Sequence, residues 1–264
     1  AAFCSLELAL LDLAGKHWNT SVLNLLGLNI QKKSLFYSLI VPIFSPETME
    51  RFLSEAYGFG FHHVKIKVNN RNPVERALQV KSLMPPQTEL RVDVNCSWTE
   101  KEAEEFIPAL AQAGVTSAEQ PLAAGDIEGS ARLRGRGLLI TLDESIVGPD
   151  DVDRAAKAGA CDIVNVRISK CGGLLGALRT IKAAERHGLG VQLGAGVGES
   201  CILSAAGAIM AAATPQFRWL EGCFGTRLLR EDLCDENFQF GINGKVTPPS
   251  GPGLGVIVNP KRLA

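Results

Sequence analysis

The chain has 264 residues, 46% of them hydrophobic, and a formal net charge of −1. That is enough apolar material for one large domain or two small ones, and a near-neutral chain without a basic cluster excludes nucleic acid as a partner. The longest apolar stretches, such as LSAAGAIMAAA at 203–213, are too short to span a bilayer, and no signal peptide is visible, which excludes a membrane partner.

Taken in chain order, AAFCSLELALLDLAGKHWN opens without Met on a helical pattern of Leu6, Leu8, Leu10, Leu11 and Leu13. Ala1 therefore reads as a cut point with more sequence upstream. Apolar strand-like runs then recur, each followed by a segment of helical spacing. They are SLFYSLIV (34–41), FHHVKIKV (61–68), ELRVDVN (89–95), GVTSAEQ (114–120), GLLITLDES (137–145), CDIVNVR (161–167), GLGVQLGAG (188–196) and FRWLEG (217–222). Between them PDDVDRAAKAG (149–159) is acidic at its start and closed by Gly159, and LGALRTIKAAERHG (175–188) is basic in its last turn and stopped by Gly188.

Eight strands alternating with helices predict an α/β fold with a parallel barrel, and a doubly wound open sheet is the alternative. The Gly-rich stretch at 188–198 lacks the GxGxxG order of a dinucleotide fold. The seven cysteines, Cys4, Cys96, Cys161, Cys171, Cys201, Cys223 and Cys234, contain no CxxC pair. Their odd count predicts reduced, mostly buried thiols and a cytoplasmic location.

The strand runs end in charged residues: Lys67, Asp93, Glu119, Asp143, Arg167, Glu199 and Glu221, spaced by 26, 26, 24, 24, 32 and 22. Strand C-terminal ends converge on one mouth in a barrel, so seven distant positions become one constellation. Carboxylates from three successive strands repel unless a cation sits among them, and an all-oxygen set suits Mg²⁺. Within TLDESI, alternation sends Asp143 and Glu144 to opposite faces, and the sequence leaves open which of them points inward.

Lys65 and Lys67 fall two apart on one strand face, opposite Val64, Ile66 and Val68. Beside the carboxylate strand, the second ammonium and partial burial lower a lysine's pKa toward that of a working base. Arg167 and Lys170 in VNVRISKCGG (164–173) supply further cationic groups.

KIK, DVN, EQP, DES, a basic residue before KCGG, and GES, in that order, resemble the enolase superfamily, specifically its muconate lactonizing subgroup. LELALLDLAGK at the start resembles that family's junction between capping domain and barrel, and PPSGPGLGV (248–256) its C-terminal return. The resemblance implies a TIM-like (β/α)7β barrel over 31–247, preceded by a helical remnant of the junction at 1–30 and followed by a return segment at 248–264. It implies an isomerase or lyase in which Mg²⁺ binds a small carboxylate and a lysine removes the adjacent proton through an enediolate. Position by position, Lys67 becomes the base and Lys65 its neighbour that lowers its pKa. Asp93, Glu119 and Asp143 become the metal ligands, Asn95 their support, and Glu199 and Glu221 substrate-side groups. A homo-oligomer is compatible with it.

Three departures stand out. Arg167 occupies the first basic place of the family's K-x-x-K-x-G-G, with Lys170 in the second; an arginine is a poor proton acceptor, which favours one-base chemistry over two-base racemisation. LEGCFG offers only Glu221 where dipeptide epimerases carry Asp-x-Asp. The capping domain is almost wholly absent, so the expectation is either a lid from a separate segment or a barrel fragment with impaired activity. The alternative reading is a non-catalytic metal- or ligand-binding barrel.

Overall fold

The computed structural model describes residues 1–236 and 238–263. The chain divides into two compact units. One comprises Ala1–Tyr37, Val166–Thr180 and the chain from Gln192 onward; the other comprises Ser38–Asn165 and Ile181–Val191.

In chain order the elements are α1 (Ala2–His17), α2 (Val22–Leu25), β1 (Leu35–Phe36), β2 (Leu39–Val41), α3 (Pro46–Tyr57), β3 (His63–Lys67), α4 (Pro73–Leu83), β4 (Glu89–Asp93), α5 (Glu100–Gln112), β5 (Val115–Glu119), α6 (Ile127–Leu133), β6 (Leu139–Leu142), α7 (Pro149–Ala158), β7 (Ile163–Val166), α8 (Leu174–Arg186), β8 (Gly190–Leu193), α9 (Cys201–Ala213), β9 (Phe217–Leu220) and β10 (Lys245–Val246). Strands β2 to β9 form one sheet in sequence order. From β2 to β9 the chain runs through seven strand-helix units and a final strand, the α/β, TIM-like pattern that the sequence rhythm predicts.

The second unit holds β2 to β6, paired parallel in succession. Its strands are buried on both faces, as near-continuous apolar runs require: Val64, Ile66, Val92 and Ala118 are fully enclosed. Its helices begin where the sequence provides caps. Thr99 and Glu102 close a reciprocal capping box on α5, and Ser45 caps α3 ahead of Pro46. Asp151 takes the Val147 and Gly148 amides at the start of α7, which ends on Gly159 in the left-handed conformation.

In the first unit, α9 is buried along almost its whole length, so its small residues serve the core. Helix α1 works as a clasp. Asp12 Oδ1 accepts from the Leu254 amide at 2.9 Å and Lys16 Nζ donates to the Val256 carbonyl at 3.0 Å. Gly15 lets the Gly253 backbone approach: a Cβ there would lie 2.6 Å from Gly253 Cα.

Two expectations are corrected. The run 34–41 is two strands: Leu35–Phe36 pairs antiparallel with Lys245–Val246, and Leu39–Val41 pairs parallel with β3. The backbone changes partner after Tyr37, whose N–H goes to the Gly244 carbonyl. The thiols are not all reduced: Cys201 and Cys234, 33 residues apart in sequence, form a disulfide with their Cα atoms 6.2 Å apart. Proximity across that separation comes from the fold, which the spacing of cysteines does not encode; the other five are not disulfide-bonded. Among the described residues no helix is long and apolar enough to cross a membrane.

Candidate active site

The register of the second unit sets the site. Lys67 lies opposite Asp93, and Asp93 opposite Glu119, on three successive strands. Because side chains alternate, Lys65 and Lys67 leave β3 on one face, and both ammonium groups reach the same oxygen, Asp93 Oδ2, at 3.3 Å. Lys65 also donates to Glu119 Oε2 at 3.0 Å.

The two lysines differ in burial. The Lys65 side chain is 3% exposed and sits between two carboxylates of 2% each, whereas the Lys67 side chain is 30% exposed. Lys67 Nζ is held further by Asn95 Oδ1 at 2.5 Å. Asn95, in the left-handed conformation just past the end of β4, donates its backbone N–H to Asp93 Oδ1 and its side-chain N–H to Glu144 Oε1, each at 3.2 Å.

Asp143 is buried, while Glu144 faces Asn95 and is half-buried. Two residues outside the predicted set brace this region, one at a carboxylate and one at the backbone. Asn165 Nδ2 donates to Glu119 Oε1 at 2.8 Å. Gln120, fully enclosed, accepts the Asp143 and Ser145 amides on Oε1 at 3.0 and 3.1 Å and gives Nε2 to the Leu122 carbonyl and Ser145 Oγ. The sequence signal for Gln120 is its place between Glu119 and Pro121, where a strand must turn.

The first unit carries the remaining predicted residues. Arg167 follows β7 and begins a turn in which the Cys171 amide returns to its carbonyl at 2.9 Å; Lys170 lies within that turn. Glu199 accepts the Gly196 amide at 2.7 Å. Burial pushes the Glu199 carboxyl above its usual range, with the Gly196 N–H and the Arg167 charge opposing. Glu221 is buried, its amide bonded to the Leu193 carbonyl. Glu199 and Glu221 line a pocket of about 10 Å³, the size of one water molecule, with Tyr37, Ser204 and Cys223. Burial drives the Tyr37 hydroxyl well up and the Cys223 thiol to about 12.

The arrangement also bears on a metal. Asp93 and Glu119 are buried and already share one cation, the Lys65 ammonium, and Asp143 is buried at the end of the next strand. This all-oxygen donor set is of the kind a hard divalent ion takes. Among the described residues, no three or more His, Cys, Asp or Glu side chains close into a metal-holding group. Lys65 bridges two of the three, Asp93 and Glu119.

A parallel strand-helix sheet with paired lysines and carboxylates at successive strand ends defines a barrel protein that carries these charged groups at the C-terminal ends of its strands. The chain belongs to the enolase C-terminal domain-like family, whose model matches residues 48–262. It is 29% identical over 274 residues to muconate cycloisomerase 1 of Acinetobacter baylyi, a match covering 99% of this chain and 71% of that protein. It is 30% identical over 200 residues to the L-Ala-D/L-Glu epimerase of Clostridium acetobutylicum, covering 74% of this chain and 55% of that relative. The crystal structure of 2-chloromuconate cycloisomerase from Rhodococcus opacus superposes with a TM-score of 0.92 at 31% identity, over 99% of this chain and 73% of that one. Relatives of this chain are thus isomerases and epimerases of the enolase superfamily.

Proposed function

We propose that the protein removes the proton α to the carboxylate of a small acid in a Mg²⁺-dependent isomerase or lyase reaction. The observation that carries this reading is the pair Lys65 and Lys67, both at 3.3 Å from one oxygen of Asp93. The similarity to a muconate cycloisomerase and a dipeptide epimerase supports it.

Lys67 is the base. It is the more exposed of the two, so its Nζ can meet a substrate that the buried Lys65 cannot. Asn95 aims it, its Oδ1 lying 2.5 Å from the ammonium. Asp93, Glu119 and Asp143 would hold the metal, with Asn165 and Gln120 orienting Glu119 and Asp143. Mg²⁺, when bound, supplies positive charge against the negative charge that develops on the substrate carboxylate. Arg167 and Lys170 add cationic stabilisation, and Glu199 and Glu221 face the rest of the substrate. An arginine holds its proton at any working pH, so the chemistry runs on one base: cycloisomerisation or syn elimination rather than two-base racemisation.

The test is proton NMR in D₂O with Mg²⁺ and a panel of muconate-like diacids, N-acylamino acids and dipeptides. An α-proton signal should disappear with the parent protein and persist with Lys67→Ala and without Mg²⁺. A second reading, a ligand-binding barrel without turnover, is favoured by one fact: Asp93 and Glu119 already share a counter-charge from the protein's own Lys65. No exchange of any α-proton across the panel, or exchange untouched by Lys67→Ala, would decide for it.

A further inference from the structure

The turn from Arg167 to α8 carries both basic residues, and a carboxylate from the first helix of the chain grips its far end. Glu7, on α1, accepts the Leu174 amide on Oε2 and the Leu175 amide on Oε1, the latter at 3.2 Å. These are the first two amides of α8, which have no carbonyl partner within the helix, and a negative charge is favoured there by the helix dipole. The helix end that would otherwise attract an anion is thus filled by the protein's own side chain.

The fit explains the second glycine of KCGG. Gly173 has φ +127°, and a Cβ at that position would overlap Glu7 Oε2 at 1.9 Å. Upstream, the backbone is continuous in its bonding: Cys171 N–H returns to the Arg167 carbonyl and Gly173 N–H to the Ile168 carbonyl, each at 2.9 Å. Gly176 seals the other side, since a Cβ there would meet the Cys171 carbonyl at 1.9 Å. A displacement at Leu174 is therefore passed back through Gly173 and Cys171 to Arg167 and Lys170.

We infer that Glu7 is a positioning residue for the turn that bears Arg167 and Lys170. It touches no reacting atom, and it acts by fixing where two cationic side chains start. The functional arm of this inference rests on the reaction proposed above, whereas its structural arm does not.

Three variants test it: Glu7→Ala, Glu7→Gln and Glu7→Asp. Amide hydrogen exchange over 171–177 should speed up by about tenfold in Glu7→Ala and in Glu7→Asp, whose shorter side chain cannot span to both amides. Glu7→Gln keeps one carbonyl oxygen and should recover part of the protection. Exchange over 100–112 should stay as in the parent, which separates a local release from general loosening. Unchanged exchange over 171–177 in Glu7→Ala overturns the inference.

In turnover, Glu7→Ala should keep Lys67-dependent α-proton exchange while product formation falls by about tenfold, a split that a general loss of stability would not produce. Full product formation by Glu7→Ala, with Lys67→Ala inactive, sinks the positioning role and leaves the reaction standing. Turnover that survives Lys67→Ala sinks the reaction instead, and the hydrogen-exchange arm still decides for or against Glu7.

Discussion

Lys65 and Lys67 are the same residue type on the same strand face, and their surroundings give them different work. Lys65 is held between two buried carboxylates, so removing it takes its ammonium from Glu119 and leaves Asp93 with only the more exposed Lys67 beside it. Lys65→Ala should lose about 3–5 kcal/mol of stability in urea titrations. Mg²⁺ should raise its melting temperature more than the parent's, because the ion replaces the missing charge. Glu199 gives a pH signature. Its carboxyl holds its proton above the ordinary value of 4.5 in the fold, chiefly through burial. As pH rises from 4.5, the unfolded chain therefore releases that proton first, and stability falls until the folded group ionises as well. Glu199→Gln removes that decline, so its melting temperature should gain on the parent's with rising pH across this window. At this scale, alternation made the shared face of the lysines legible. It did not choose between Asp143 and Glu144, because the strand ends at Leu142 and a period of two says nothing about residues beyond it.

Strands and helices were legible where a local rule governs them. Gly159 ends α7, and the capped, acidic start of that helix is where the sequence puts it. The segment 34–41 was not, since nothing within it announces that Leu35–Phe36 pairs with a strand more than 200 residues later. The turn after β5 also depends on an interaction invisible in spacing. Gln120 takes a left-handed φ of 39° and uses its side-chain amide to serve the backbone on both sides of Asp143. Gln120→Ala would leave the Asp143 and Ser145 amides buried without acceptors, which should cost about 2–5 kcal/mol. The same variant should weaken Mg²⁺ binding in calorimetry, while Thr99→Ala, which removes only the α5 cap, should cost about 1 kcal/mol and leave Mg²⁺ binding as in the parent.

For the whole molecule, the seven strand-helix units and closing strand follow from a repeated spacing of 22 to 32 residues between charged strand ends. That regularity is why the fold could be read without a partner sequence. The cysteines could not be read in the same way. The Cys201–Cys234 bridge closes a loop of 33 residues, and the Cys201 amide is bonded to both oxygens of Asp232 in the same loop. Cys234→Ser should lower stability by about 3–4 kcal/mol, and dithiothreitol should lower the parent's melting temperature while leaving the variant's unchanged.

The clasp of α1 on the Gly253–Val256 segment sets a timetable for biosynthesis. Asp12 and Lys16 leave the ribosome about 240 residues before Leu254 and Val256, the groups they hold. Residues 38–165, most of the second unit, emerge as one uninterrupted piece and can pack as they appear. The contacts of α1 with Leu254 and Val256 cannot form until those residues have been translated. During that interval Phe3, Leu6, Leu10 and Leu13, which are exposed in this structure, give nascent chains an apolar ridge on which chaperones can act. Slower decoding around Gly253–Val256 would therefore lengthen the time for which α1 waits for the segment it holds.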